Sequence, residues 1–195
     1  MNNKIIILNG CGGTGKNTFV DLCKIFNPKV MHTSMIDYTK KIARELGWDG
    51  EKTEKDRKFL SNLKDTIDEY NDLSFKYVDK YIMSCKNKIV FIDAREPKDI
   101  DRLANKYNAL KVLVINNNIP HISSNHADNE VFETQYDIVI DNSDSLDRLR
   151  ESAEIFMKLM EFKDEEINYI THTSSSLIPT IIDMDYLKEL KDGVR

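Results

Sequence analysis

Near its start the chain reads Lys4-Ile-Ile-Ile-Leu-Asn9, and a glycine cluster, Gly10-Cys-Gly-Gly-Thr-Gly15-Lys16, follows at once. A short apolar run that stops at a glycine cluster is typical of a buried parallel strand. From Lys16 onward the apolar residues recur at helical spacing until Asn27-Pro28 interrupts the pattern. The stretch therefore predicts a strand over 4–9, a tight loop, and a helix from Lys16 to Phe26.

The glycine cluster matches the spacing G-x-x-x-x-G-K and contains four of the seven glycines in the chain. A loop that wraps a polyphosphate must bring backbone N–H groups close to the anion, and side chains would block that approach. The following helix would point its dipole and free N–H groups at the same anion, and Lys16 would add a mobile positive charge. The alternative is a glycine-rich turn without a ligand. We expect the phosphates of a nucleotide to be bound by Gly10, Cys11, Gly12, Gly13, Thr14, Gly15, Lys16, Asn17 and Thr18.

One position departs from the usual pattern of such loops. Ser or Thr normally follows the lysine and holds Mg²⁺ through its hydroxyl, whereas this chain has Asn17 followed by Thr18. An amide oxygen can also coordinate Mg²⁺, directly or through water, so we expect Asn17 to be a metal ligand. The alternative is an inactive loop.

Further along the chain, short apolar runs alternate with stretches of helical periodicity. The runs predict strands over 30–33, 88–93, 110–115 and 137–140, and Leu146 begins a long amphipathic helix. Alternation of this kind, with strands that are apolar throughout, is typical of a parallel α/β sheet covered by helices on both faces.

Residues 34–85 predict a helical insertion between the second and third strands. Ser34-x-x-Asp37 and Thr53-x-x-Asp56 each have the pattern of a capping box, so we expect a helix to begin at each. We expect the second of these helices to turn its apolar residues inward, namely Phe59, Leu60, Leu63 and Ile67.

The composition excludes several classes of protein. Three cysteines without a C-x-x-C pair argue against a disulfide framework and a zinc site. The net charge of -5 argues against a nucleic-acid binder held by bulk charge. No apolar run approaches the roughly 18 residues of a membrane span, and the first run is too short for a signal-peptide core. We therefore expect a cytoplasmic protein with neither a nucleic-acid nor a membrane partner.

The predicted third strand ends in Asp93-Ala-Arg95-Glu96-Pro97. Ligands of doubly wound sheets sit at the carboxyl ends of the strands, which places these residues beside the glycine cluster. The Arg95 guanidinium could bind a second phosphate in bidentate fashion, and Asp93 could hold Mg²⁺ through water. The alternative is a purely structural contact between Asp93 and Arg95.

Four segments together suggest a family. Gly15-Lys-Asn-Thr18 is similar to G-K-D-T, Asp93 to Pro97 resembles a D-x-R strand end, and Gly47-Trp-Asp-Gly-x-Lys52-x4-Arg57 falls in an acceptor-binding region. Ser124 to Asp128, followed by Tyr136 to Asn142, looks like a lid and a last strand. Over residues 1–162 the chain resembles the P-loop nucleoside and nucleotide kinases and, more narrowly, the deoxynucleoside monophosphate kinases of phages and low-GC bacteria.

The resemblance implies a three-layer α/β P-loop NTPase fold with a five-stranded parallel sheet. Residues 1–162 would form the kinase domain, with the insertion (34–85) binding the nucleoside monophosphate and a short lid at 116–135. Residues 163–195 would be an appendage. The implied activity is ATP-dependent transfer of the γ-phosphoryl group to a (deoxy)nucleoside monophosphate, with ATP and Mg²⁺ bound and a small-molecule nucleotide as partner. A homodimer is left open.

The resemblance also implies roles for individual residues. The catalytic residues would be Lys16, Asp93 and Arg95, and the metal ligands Asn17 and Asp93. The acceptor nucleotide would be bound by Asp37, Arg44, Lys52, Arg57, Lys64 and Arg95. For each basic residue taken singly, the alternative is a solvated helix face.

The predicted lid contains neither Lys nor Arg between residues 116 and 135. Phosphoryl transfer needs positive charge around the migrating group. Two alternatives to the kinase therefore stay open. One is a nucleotide-binding protein with little catalysis, acting as a sensor or partner-binding module; the other is a kinase for another small phosphorylated metabolite.

Overall fold

The computed structural model describes residues 3–51, 53–119, 131, 134–162 and 166–167. In this part of the chain five strands form one parallel sheet in the order β2-β3-β1-β4-β5. The strands are β1 (Lys4–Asn9), β2 (Val30–Ser34), β3 (Ile89–Asp93), β4 (Leu110–Ile115) and β5 (Ile138–Asp141). The predicted strands are confirmed, with ends that differ by at most one residue.

Six helices accompany the strands in the described ranges, and none of them is both long and apolar enough to span a membrane. They are α1 (Lys16–Phe26), α2 (Asp37–Glu45), α3 (Glu54–Asn71), α4 (Leu73–Ser84), α5 (Pro97–Tyr107) and α6 (Leu146–Leu159). Helices α2, α3 and α4 lie between β2 and β3 in the chain, where the sequence predicts the insertion.

The sheet is apolar on both faces, and each face carries its own layer of helices. Ile6 and Leu8 of β1 pack in one cluster with α1 and α6, whereas Ile5 and Ile7 pack in a second cluster with α4 and α5. This alternation along a strand is what a sheet buried on both sides requires. Full burial of each such side chain contributes about 1.5–3 kcal/mol. The predicted α/β sheet, covered on both faces, is confirmed.

The two capping boxes have different outcomes. At Thr53 both bonds are present: Thr53 Oγ1 accepts from the Asp56 N–H (3.2 Å) and Asp56 Oδ2 accepts from the Thr53 N–H (3.0 Å). The prediction for Ser34 is wrong, because Ser34 pairs with Asp93 as the last residue of β2 and α2 begins only at Asp37. One of the two hydrogen bonds of a capping box is present, because Asp37 Oδ2 accepts from the Ser34 N–H at 2.8 Å.

The apolar face predicted for α3 is not buried. Phe59 is 37% exposed, and the buried residue of this helix is Lys64. For Phe59 the prediction is wrong. Helix α3 packs on α2 and α4, and burial on its apolar side is only partial. Leu60, Leu63 and Ile67 are accordingly half-buried.

Candidate functional site

The loop of residues 10–15, hereafter the glycine loop, connects the carboxyl end of β1 to α1. Gly10 and Gly15 both have positive φ angles, +142° and +95°. A Cβ atom on Gly10 would lie 2.3 Å from the Val114 carbonyl oxygen, and one on Gly15 would lie 2.2 Å from Asn142 Nδ2. Glycine is therefore required twice over, by backbone conformation and by close neighbours from the ends of β4 and β5.

Lys16 is the first residue of α1, and its ammonium folds back over the glycine loop. Its Nζ donates to the carbonyl oxygens of Gly10 (2.5 Å) and Cys11 (2.9 Å). Gly15, which caps the helix, has no side chain to bond the first N–H groups of α1. Those N–H groups, the helix dipole and the ammonium together favour an anion at this position.

Asn9, the fully buried last residue of β1, holds the base of the loop in place. Its Oδ1 accepts from the Gly10 N–H (2.7 Å), and its Nδ2 donates to Tyr136 OH (2.7 Å) and to the Arg95 carbonyl oxygen (3.4 Å). Tyr136 OH in turn donates to the Val131 carbonyl oxygen at 2.6 Å. Burial raises the pKa of Tyr136 to about 12, so the hydroxyl stays protonated at neutral pH.

Asp93 ends β3, the neighbour of β1, and pairs with Leu8 one residue before Asn9. Its Oδ2 lies 3.2 Å from His32 Nε2. Its Oδ1 is buried and has no hydrogen-bond partner among the described residues. A buried carboxylate oxygen without a protein partner is a candidate ligand for a cation or a water molecule. Arg95, two residues on, is half-buried beside the same strand end.

The insertion reaches the glycine loop through Arg57. A Cβ atom on Gly12 would lie 3.9 Å from Arg57 Nη1, so the guanidinium borders the loop from the first turns of α3. Arg44 lies at the end of α2, where its guanidinium is 5.5 Å from the centroid of the Trp48 ring. Arg57 is thus the arginine through which the insertion borders the glycine loop.

Lys64 lies at the centre of a cluster of three carboxylates, hereafter the Lys64 cluster. Its Nζ is 3.1 Å from Asp68, 3.0 Å from Glu96 and 3.1 Å from Asp99, and its side chain is 11% exposed. Burial alone would lower the pKa of Lys64, but the three carboxylates raise it above its usual value. Burial raises the pKa of Asp99, and Lys64 offsets this only in part. The cluster ties α3 to the start of α5.

The remaining predicted site residues are placed as follows. Asp37 accepts from the Ser34 N–H and from Thr33 Oγ1 (3.2 Å) at the start of α2. Asn17 and Thr18 are exposed on the first turn of α1. Lys52, most of the predicted lid and most of the predicted appendage lie outside the described residues.

Three residues of this region were not singled out from the sequence: Asn9, Tyr136 and Asn142. Asn9 had a visible signal, since a polar residue ends a run of four apolar ones just before the glycines. Tyr136 and Asn142 flank β5, far from the glycine loop in sequence. They contact Asn9 and Thr14 because the sheet brings β5 close to the loop, so their roles depend on tertiary contacts.

A small cavity lies at the opposite edge of the sheet, near the amino ends of β1 and β4. It has a volume of about 40 Å³ and is lined in part by Ile5, Tyr107, Leu110 and Met160. Space of this size suits one or two water molecules rather than a nucleotide. The candidate site is therefore the glycine loop and its surroundings. It is identified by its anion-binding groups and not by the volume of a cavity.

No group of three or more His, Cys, Asp or Glu side chains within the described ranges is arranged to hold a metal ion by itself. Comparison with models of known protein families and with curated proteins found no match to this chain. Function is therefore inferred from the residues at the carboxyl edge of the sheet.

Proposed function

We propose that this chain is an ATP-dependent kinase of the P-loop NTPase fold that phosphorylates a (deoxy)nucleoside monophosphate. The observation that carries the proposal is a convergence at one sheet edge. The glycine loop with Lys16, the Asp93 to Arg95 strand end, and Arg57 from the insertion all meet there. A donor and an acceptor phosphate both need positive charge and N–H donors at such an edge.

The donor side of this proposal is the glycine loop. The first N–H groups of α1 and the Lys16 ammonium would bind the β- and γ-phosphates of ATP. Lys16 is held by two neutral carbonyl oxygens, which a phosphate can replace with a stronger, charge-assisted bond. Cys11 to Gly13 would line the same anion with backbone alone.

The acceptor side would be built by arginines from two elements. Arg57 borders the glycine loop from α3, and Arg95 follows β3 beside it. Guanidinium groups bind phosphates in bidentate fashion, which fixes orientation as well as charge. The roles of Arg44, Lys52, Asp37 and Lys64 toward the acceptor stay predictions, and Lys64 has three carboxylates of its own.

Asp93 fits the Mg²⁺ that such a reaction uses. Its Oδ1 is buried without a described hydrogen-bond partner, and a hard cation or its bound water would satisfy that oxygen. Asn17, exposed on α1, offers a second oxygen ligand. When bound, Mg²⁺ supplies charge neutralisation of the phosphates.

In the proposed reaction, a phosphate oxygen of the monophosphate attacks the γ-phosphorus of ATP. The bond between that phosphorus and the β–γ bridging oxygen breaks, so the products are ADP and a nucleoside diphosphate. The chain contributes alignment of the two substrates and positive charge at their phosphates, because the transfer itself needs little covalent help.

A coupled assay of ADP release tests the proposal. The full chain is mixed with ATP and Mg²⁺, and each of the common ribo- and deoxyribonucleoside monophosphates is added in turn. We expect one or a few of them to stimulate ADP release, with the matching diphosphate appearing in equal amount. ADP release that stays at the level without acceptor, for every monophosphate, would refute the proposed activity.

Asn17 favours a second candidate, a nucleotide-binding protein with little catalysis. It stands where a hydroxyl usually holds Mg²⁺, and it is exposed. This candidate predicts ATP binding in calorimetry without turnover of any monophosphate. Repeating the ADP assay with other small phosphorylated metabolites separates it from a kinase that uses a different acceptor.

A further inference from the structure

Asn142 follows β5 directly and is fixed by its own backbone. Its N–H donates to the Ile115 carbonyl oxygen at 2.8 Å, which extends the pairing of β4 and β5 by one residue. Its side chain therefore projects from a rigid edge of the sheet. The side-chain Nδ2 donates to the Thr14 carbonyl oxygen at 2.9 Å, across 128 residues of sequence.

This bond sets the orientation of one peptide group in the glycine loop. The Thr14–Gly15 peptide is trans, and in a trans peptide the C=O and N–H bonds point in opposite directions. Because the Thr14 carbonyl points at Asn142, the Gly15 N–H points away from β5. That N–H immediately precedes Lys16 and the first N–H groups of α1.

The same side chain also restricts Gly15 sterically. Asn142 Nδ2 occupies the place that a Cβ on Gly15 would take, at 2.2 Å. If this peptide rotated, the Thr14 carbonyl would point to the side that the Gly15 N–H now faces. Its oxygen would then repel an anion on that side. The rotation would also leave the Asn142 amide without its acceptor, which costs free energy in a partly buried place.

We infer that Asn142 is a positioning residue, which holds the Thr14–Gly15 peptide so that the Gly15 N–H faces the phosphates of ATP. The inference rests on the proposed function, because that function supplies the anion. Asn142 does not touch the reacting atoms; it acts through the peptide that it holds. Only a donor can fulfil this role, since the Thr14 oxygen can only accept.

The sequence provides a direct probe of this peptide. Thr14–Gly15 is the only Thr-Gly pair in the chain. Protein labelled with ¹³C-carbonyl threonine and ¹⁵N-glycine therefore gives a single correlation between the Thr14 carbonyl and the Gly15 N–H in an NMR spectrum. This signal is followed while ATP and Mg²⁺ are added, and calorimetry measures the dissociation constant of ATP in parallel.

Four variants separate positioning from packing. Asn142→Ala removes the donor, and Asn142→Asp keeps the size but replaces the donor by a charged acceptor. Ser143→Ala and Ser143→Asp are the matched controls, because Ser143 lies in the same turn and its Oγ accepts from the Asn117 N–H, not from the glycine loop. Ser143→Asp also adds the same charge as Asn142→Asp, one residue away. Thermal unfolding verifies that each variant is folded.

We expect the Gly15 signal of the wild-type protein to shift on ATP addition. In Asn142→Ala the signal of the free protein should already be displaced or broadened, and ATP binding should weaken roughly tenfold. Asn142→Asp should weaken it further, whereas both Ser143 variants should stay within about threefold of wild type.

The possible results separate the role of Asn142 from a packing role and from the proposed kinase activity. A packing role predicts that the isosteric Asn142→Asp binds ATP like Ser143→Asp, and that result overturns the inference. Unchanged Gly15 signal and ATP affinity in Asn142→Ala overturn it as well. ATP binding that depends on Asn142, without turnover of any monophosphate, refutes the kinase and leaves the inference intact. A wild-type protein that does not bind ATP refutes both.

Discussion

Two lysines stand near the carboxyl edge of the sheet, and their partners differ in kind. Lys16 contacts two backbone carbonyl oxygens of the glycine loop, whereas Lys64 contacts three carboxylates. The two carbonyl oxygens are neutral acceptors, so a phosphate that replaces them at Lys16 gains a charge-assisted bond. The three carboxylates outnumber the charge of Lys64, so a phosphate would meet an excess of negative charge there. The same residue type thus has neutral acceptors in the proposed anion site and three carboxylates in the Lys64 cluster.

The largest effect expected is that of Lys16→Met on activity. Loss of the ammonium removes positive charge from the γ-phosphate as it transfers, so kcat/KM in the ADP-release assay should fall by roughly 1,000-fold. The circular dichroism spectrum and the unfolding midpoint should stay near those of wild type, since methionine keeps an unbranched side chain of similar length and a good helix propensity at the start of α1. Activity within tenfold of wild type would contradict the assignment of Lys16 to the anion site.

Lys64→Met should instead destabilise the fold, by about 3 kcal/mol. The change leaves Asp68, Glu96 and Asp99 close together without their cation. Urea denaturation measures the free energy of unfolding directly. The matched control is Lys98→Met on α5, an exposed lysine close to the cluster in sequence, which should change stability by less than about 0.5 kcal/mol. Equal effects of the two substitutions would show that the cluster contributes nothing specific.

Arg57→Ala should weaken substrate binding at the glycine loop while Lys64 keeps the insertion in place. We expect the KM for the acceptor monophosphate to rise roughly tenfold or more, because a guanidinium next to the loop is lost. Lys55→Ala, two residues earlier on the same helix and exposed, is the control and should change KM less than threefold. If the KM for ATP rises instead, Arg57 belongs to the donor side.

The smallest effect expected is the pH dependence that Asp99 contributes. Burial raises its pKa in the folded protein, so the folded state binds more protons than the unfolded state above about pH 4. The contribution of this group to the unfolding free energy therefore falls as pH rises above that value. Asp99→Asn lacks the titration, and the stability of wild type relative to this variant should decline as pH rises from 4 towards 7. Urea denaturation at several pH values checks this, and a constant or increasing difference would be evidence against it.

The local elements of this chain are readable from the sequence because their signals are local. Helix α1 begins and ends at the predicted residues, since glycines precede it and Asn27-Pro28 stops it. The capping box at Thr53 is likewise complete within four residues. The capping box predicted at Ser34 is wrong because Ser34 pairs with Asp93 of β3. A pairing with a distant strand leaves no signal in the local sequence.

The sequence predicts the candidate site only where the site consists of consecutive residues. The glycine loop and the Asp93 to Arg95 strand end are visible as motifs, and the sheet brings them together. The family resemblance implied that Lys64 binds the acceptor, whereas its partners Glu96 and Asp99 lie at the start of α5, more than 30 residues later in the chain. Asn142 follows β5, two strands from β1, and contacts the loop across 128 residues of sequence, so its role could not be predicted from a local motif.

The central position of β1 has a consequence for the order in which the protein can assemble. This strand precedes the other four in the chain but pairs with β3 and β4, whose partner residues come 85 and 104 positions later. Val114, which borders the glycine loop, belongs to β4, and Asn142 comes later still. A growing chain therefore carries the loop sequence long before the contacts that shape it, and pairings of such sequence separation form slowly. The anion site is expected to be among the last parts of the fold to take its final form.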